Sequence, residues 1–94
     1  MKWVVCYSSK AAKQYDNLPR AVQDRLDLLT AELELLGPNR YNWKNYSKLE
    51  GTTQRYHCHV KKGKPTYVAV WEVKDDRVRL LEVTYVGTHE KAPY

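Results

Sequence analysis

Val22, Leu26, Leu29, Leu33 and Leu36 recur at intervals of 4, 3, 4 and 3 residues and stop at Gly37-Pro38. An α-helix turns once in about 3.6 residues, so this spacing draws one apolar stripe along about four turns. A glycine followed by a proline is how such a helix ends. A helix with a single apolar side needs a surface to cover. Five aligned apolar residues also suit a dimerising coiled coil, but one helix of fewer than three heptads packs better on its own chain. With 94 residues forming one domain, 1–94, that surface has to come from the rest of the sequence.

The remainder reads as strands. Trp3-Val4-Val5-Cys6-Tyr7 is β-branched and aromatic and makes a first strand. Ser8 or Ser9 caps a short helix carrying Ala11, Ala12, Tyr15 and Leu18 at helical spacing, and Pro19 opens the long one. After Pro38 the period changes to two. Tyr56 to Val60 alternates, Lys61 to Pro65 turns, Tyr67 to Val73 is an apolar strand, Lys74 to Arg77 turns, and Val78 to Val86 is the last strand. The order βααβββ predicts an α+β fold, with a helical hairpin packed on one face of a small, mainly antiparallel twisted sheet. The segment Asn39 to Tyr46 is irregular and reads as a mobile loop. Cys6 and Cys58 fall among valines and read as buried apolar residues, neither disulfide nor nucleophile.

Charge narrows the function. The net charge of +5 is unremarkable, but residues 39–64 hold Arg40, Lys44, Lys48, Arg55, Lys61, Lys62 and Lys64 against Glu50 alone, a net +6. The flanks sum to 0 and −1, so the excess belongs to one stretch. A plain solvated surface is one reading; a polyanion-binding surface is the sharper one, because clustered cations gain affinity for phosphates by releasing counterions. The apolar runs are a few residues long, too short for a membrane span or a signal-peptide core, so no membrane partner is expected and the chain reads as cytoplasmic.

Within that stretch the strand pattern sorts side chains. Tyr56, Cys58 and Val60 point under the helices, while Arg55, His57, His59 and Lys61 point to solvent. With His89, the two strand histidines offer nitrogen ligands for a metal, yet no carboxylate or thiolate shares the face, so neither metal nor other cofactor is expected. Histidines also transfer protons near neutral pH, and His89 follows the last strand beside this basic face. RNA cleavage suits such a set. The 2′-hydroxyl is the substrate's own nucleophile, and the protein need supply only a base, an acid and cations on the phosphate. The chain's eight Tyr and three Trp, with no Phe, include rings able to stack on unpaired bases.

The strand, the helical hairpin ending at Gly37-Pro38, Lys48-Leu49-Glu50-Gly51, Tyr56-His57-Cys58-His59-Val60, Tyr67 to Val73, Asp75-Asp76-Arg77-Val78, and Val86-Gly87-Thr88-His89 with Tyr94 together resemble the RelE/ParE superfamily of bacterial type II toxins. The resemblance implies a ribosome-dependent endoribonuclease (an mRNA interferase) that cleaves mRNA in the A site and inhibits translation. It implies as partners the ribosome, mRNA and an acidic, partly disordered antitoxin protein. His57 and His59 stand where RelE has lysines that act on RNA. His89 stands where RelE has a functional arginine, and where the YafQ-like and HigB-like branches have a catalytic histidine after Gly-Ser or Gly-Thr. Tyr94 matches an aromatic that stacks on or orients substrate. Val68 falls where many ribonuclease members have a phosphate-binding arginine, so Arg55, Lys48, Lys61, Lys62 and Arg79 become the candidate RNA-binding cations. A ParE-like DNA gyrase inhibitor and a non-catalytic RNA-binding relative are the alternatives; the histidines argue against the first and Val68 keeps the second open.

Overall fold

The computed structural model describes residues 2–51 and 54–94; Met1, Thr52 and Thr53 lie outside the described residues. The chain runs β1 (Val4–Tyr7), α1 (Ser9–Asp16), α2 (Arg20–Leu36), β2 (Ser47–Lys48), β3 (Arg55–Lys61), β4 (Tyr67–Asp75), β5 (Leu80–Thr88) and a 3-10 turn, His89–Lys91. The strands form one sheet in the order β1-β5-β4-β3-β2. β1 pairs with β5 in parallel and every other pairing is antiparallel. The α+β architecture is as read from the sequence, with β2 as an added edge strand.

The apolar stripe of α2 makes the core. Val22, Leu26, Leu29 and Leu33 are buried against Tyr56, Cys58 and Val60 of β3, Ala69 and Trp71 of β4, and Leu81 and Val83 of β5. Each fully buried leucine contributes about 1.5–3 kcal/mol over an exposed one. Trp71 satisfies its one polar group by donating from Nε1 to the Pro38 carbonyl at 3.1 Å. α1 starts where Ser8 Oγ accepts from the Ala11 amide at 3.1 Å.

Several expectations are corrected. Leu36 is 65% exposed, so the working stripe ends at Leu33. Trp3 closes the core there, its amide donating to Glu34 O at 2.8 Å and its ring lying where a side chain on Gly37 would stand. The last strand begins at Leu80 rather than Val78, because Arg79 has a φ of 54° and Asp75 Oδ1 accepts from the Arg77 amide at 2.9 Å, which holds a turn. Cys58 is buried, but Cys6 is exposed: on edge strand β1, Val5 and Tyr7 pack on the core while Val4 and Cys6 take the opposite face.

The segment from Asn39 to Tyr46 is fastened down, not loose. Glu32 Oε1 on α2 accepts from Trp43 Nε1 and Asn42 Nδ2, both at 2.9 Å, and from Arg40 Nη1 at 3.3 Å. Burial alone would raise the Glu32 carboxyl, but these hydrogen bonds outweigh it and hold the group below its ordinary value. The Arg25 guanidinium lies 4.8 Å over the Trp43 ring. Tyr46 packs with Tyr56 and Trp71 in a group of near-parallel rings, with centroids 6.1 and 6.2 Å away. Arg40, at 9% exposure, is thereby spent inside the protein and leaves the external cation count of the basic stretch.

Candidate active site

The sheet face away from the helices carries the chemistry. β3 alternates as the sequence predicts, burying Tyr56, Cys58 and Val60 and leaving Arg55, His57 and His59 on the open face. The row stops there. A register shift after His59 sets Lys61 opposite Tyr67, whose ring packs on the helical side, so Lys61 does not continue the line of histidines. On β4 and β5 the same open face carries Val68, Val70 and Tyr85. These three are buried, among the described residues by Leu49 and the C-terminal Ala92, which pack on them.

The chain's end builds the rest. β5 finishes at Thr88, the His89 amide donates to Thr66 O at 2.8 Å, and the 3-10 turn sends the tail back across the sheet. Ala92 packs on the cluster of Val68, Val70 and Tyr85, and the Tyr94 ring settles 4.6 Å from His57, centroid to centroid. Gly87 permits this path. A β-carbon there would stand 2.6 Å from Tyr85 Oη, and that hydroxyl donates to Thr88 O at 2.8 Å.

Three histidines and a tyrosine therefore converge from distant parts of the chain. Ring centroids are 6.3 Å apart for His57–His59, 5.4 Å for His59–His89 and 6.3 Å for His89–Tyr94. Burial lowers His57, a backbone hydrogen bond to Ser47 opposes that, and the charges of His59 and His89 lower it further. His59 is lowered by burial, then by His89 and Lys44. Both rings are thus held neutral at neutral pH, able to accept a proton. Burial pushes the Tyr94 phenol up, so it remains a hydrogen-bond donor. A cleft of about 540 Å³ opens beside the cluster, lined by His59, His89, Glu90 and the Gly63–Thr66 turn. Among the described residues no group of three or more His, Cys, Asp or Glu side chains is arranged to hold a metal ion.

The candidate cations disperse. Arg55 stays on the histidine face, in register with Glu72. Lys48 pairs with Tyr56, and its side is the small hollow of Asn39, Tyr41 and Tyr46. Lys62 is exposed in the turn after β3. Arg79 sits at the far end of β5, against the Trp3 ring at 5.8 Å and six residues from Tyr85, about 20 Å along a strand. The cations that border the cluster are others. Lys64 lines the cleft, and Lys44 reaches His59, whose amide donates to Lys44 O at 2.8 Å. Ser47, whose hydroxyl lies 3.1 Å from His57 Nδ1, also escaped the sequence reading. Both Lys44 and Ser47 depend on the docked loop and on a strand of two residues, for which no local periodicity exists. Among the described residues no helix is long and apolar enough to cross a membrane.

No protein-family model matches the chain, and no curated protein matches it in sequence. Solved structures do match in shape. The RelE–RelB complex of Pyrococcus horikoshii aligns with 98% of this chain and 100% of its own, at 20% identity and a TM-score of 0.78. A mutant of Escherichia coli toxin RelE in the free state aligns over 98% of this chain and 88% of its own, at 22% identity and 0.76. The E. coli RelBE toxin–antitoxin complex covers 95% and 99%, at 22% identity and 0.75. At these identities what is shared is architecture: the chain has the fold of the RelE toxins.

Proposed function

We propose that this protein is the toxin of a type II toxin–antitoxin pair, a metal-independent endoribonuclease that cleaves mRNA in the ribosomal A site and so stops translation. The observation that carries this reading is the meeting of His57, His59, His89 and Tyr94 on one open sheet face beside Lys44 and Lys64. One neutral imidazole takes the proton of the 2′-hydroxyl as its oxygen attacks the adjacent phosphorus. The P–O5′ bond breaks, an acid returns a proton to the leaving 5′-oxygen, and a 2′,3′-cyclic phosphate is left. His89 is the first candidate for one of these roles, with His57 or His59 as its counterpart. Tyr94 assists from beside His57 by stacking or by hydrogen bonding. Lys44, Lys64 and Arg55 offset phosphate charge, with Lys61 and Lys62 extending the cationic surface towards ribosomal RNA.

Two of the fold relatives are toxins bound to their antitoxins, which supports an antitoxin as the protein partner here. An acidic segment, disordered when free, complements the basic stretch. The reading places the protein in the cytoplasm, with ribosomes and mRNA. Adding purified protein to a translating extract and mapping mRNA 5′ ends by primer extension tests it. Codon-phased cuts that vanish with His89→Ala support the ribonuclease. Intact mRNA with inhibited gyrase supercoiling favours a ParE-like poison instead, and a translation block with mRNA and gyrase both intact favours a non-catalytic binder.

A further inference from the structure

Strand β2 is two residues long, and one of its side chains stands on the histidine face. Ser47 is opposite His57 in the β2–β3 register, and opposed residues share a face with β-carbons about 5 Å apart. Its hydroxyl oxygen lies 3.1 Å from His57 Nδ1. Among the described residues, His57 is the member of the cluster whose ring nitrogen has a side-chain hydrogen-bond partner; His59 and His89 meet other rings. The two nitrogens of an imidazole are linked: what one is bonded to fixes what the other can do. With Nδ1 turned to the edge strand, Nε2 is the nitrogen left for the Tyr94 side and for substrate.

We propose that Ser47 is a positioning residue that holds His57 as its Nδ1–H tautomer, with the serine oxygen accepting, so that the Nε2 lone pair is presented to the substrate. A serine hydroxyl can donate or accept, so its direction follows from what the other ring nitrogen does. A ring whose Nε2 accepts a proton carries its own hydrogen on Nδ1, and the serine oxygen 3.1 Å from Nδ1 is then the acceptor. Burial and the neighbouring histidines keep the ring neutral, as a proton acceptor must be. Resting on the ribonuclease reading above, this gives His57 the accepting role. Its Nε2 takes the 2′-hydroxyl proton as the O2′–P bond forms and the P–O5′ bond breaks, and His89 supplies the proton to O5′.

Two readouts test the assignment. In 15N-labelled protein above pH 7, long-range 1H–15N correlations of the His57 ring report its tautomer directly. The wild type shows the Nδ1–H form, Ser47→Ala moves the ring towards the Nε2–H form or an exchanging mixture, and Ser47→Thr restores the wild-type pattern. In single-turnover cleavage on programmed ribosomes, Ser47→Ala lowers the rate about 10-fold at unchanged KM and displaces the acid limb of the pH profile, while Ser47→Thr stays near wild type. An Nε2–H ring in the wild type overturns the proposal, as does an Nδ1–H ring and an unchanged rate in Ser47→Ala. If the wild type fails to cleave at all, the ribonuclease reading falls, and the tautomer measurement still decides what Ser47 does.

Discussion

The two faces of the sheet obey different rules although the same strands make both. Under the helices, Tyr56, Cys58, Val60, Ala69, Trp71, Leu81 and Val83 are buried by the leucine stripe of α2. On the other face, among the described residues, the apolar covering for Val68, Val70 and Tyr85 is Leu49 and Ala92 of the C-terminal tail. The first face is closed by periodic local structure; the second is closed late, by a chain end that also delivers His89 and Tyr94 to the histidines of β3. The open face is itself divided. At one end Lys74 Nζ spans Glu72 at 3.0 Å and Glu82 at 3.5 Å, a solvated ion-pair group of small energetic value. At the other end the titratable groups meet ring to ring, partly desolvated, with their cations spread around a cleft. The first face supplies stability. The second holds the reactive groups, and its substitutions should separate the two.

The sharpest separation is expected from His89→Ala. A positioned acid or base contributes about 10²–10⁴-fold, so ribosome-dependent cleavage should fall by at least about 100-fold. His89 is exposed, so the unfolding free energy should shift by less than about 0.5 kcal/mol. Single-turnover assays and denaturant unfolding on the same preparation check both. Leu29→Ala should do the reverse. It removes a fully buried side chain of the helix-side core, costs about 2–5 kcal/mol in urea unfolding, and leaves the rate per folded molecule within about twofold. If Leu29→Ala instead alters cleavage without altering stability, the division between faces is wrong.

Glu32→Gln should come next, at about 2 kcal/mol, because it replaces a charged acceptor serving Arg40, Asn42 and Trp43. Hydrogen exchange should rise over residues 39–46, and cleavage should weaken as Lys44 and Ser47 lose their support. Gly87→Ala tests the join between stability and site. Its β-carbon forces the Tyr85 ring to move, at about 1–3 kcal/mol, and the loss of tail packing should weaken the His57–Tyr94 ring contact seen in ring-current shifts. The smallest effect is the pH dependence of stability. His57 and His59 are lowered in the folded state, so below their ordinary value of 6.5 the unfolded chain binds more protons. Stability should therefore fall as pH drops from 7 through 6.5 and below, and His57→Gln with His59→Gln should flatten that slope. A slope of opposite sign would mean the cluster is stabilised by protonation.

How much of this was legible in the sequence follows from where each determinant lies along the chain. The α2 stripe and the β3 alternation are local periodicities, and they correctly sorted Leu26 from Leu28 and His57 from Cys58. Leu36 misled because periodicity does not know where the sheet ends. Cys6 misled because an edge strand with valine neighbours need not be buried on both sides. The docked loop depends on Glu32, eight to eleven residues from the groups it anchors, and β2 is too short to show alternation at all. The return of Tyr94 to His57 spans the β3–β5 meander and rests on the lack of a side chain at Gly87, a requirement visible only in three dimensions.

The central claim, that the open-face cluster cleaves RNA through the substrate's own 2′-hydroxyl, is tested most directly by substrate chemistry. Programmed ribosomes carrying mRNA with a single 2′-deoxy nucleotide at the mapped cut site should be resistant to the protein. The matched all-ribose mRNA should yield 2′,3′-cyclic phosphate and 5′-hydroxyl ends without added metal beyond that the ribosome needs. Cleavage of the deoxy substrate at the same position, or products bearing 5′-phosphates, would contradict it.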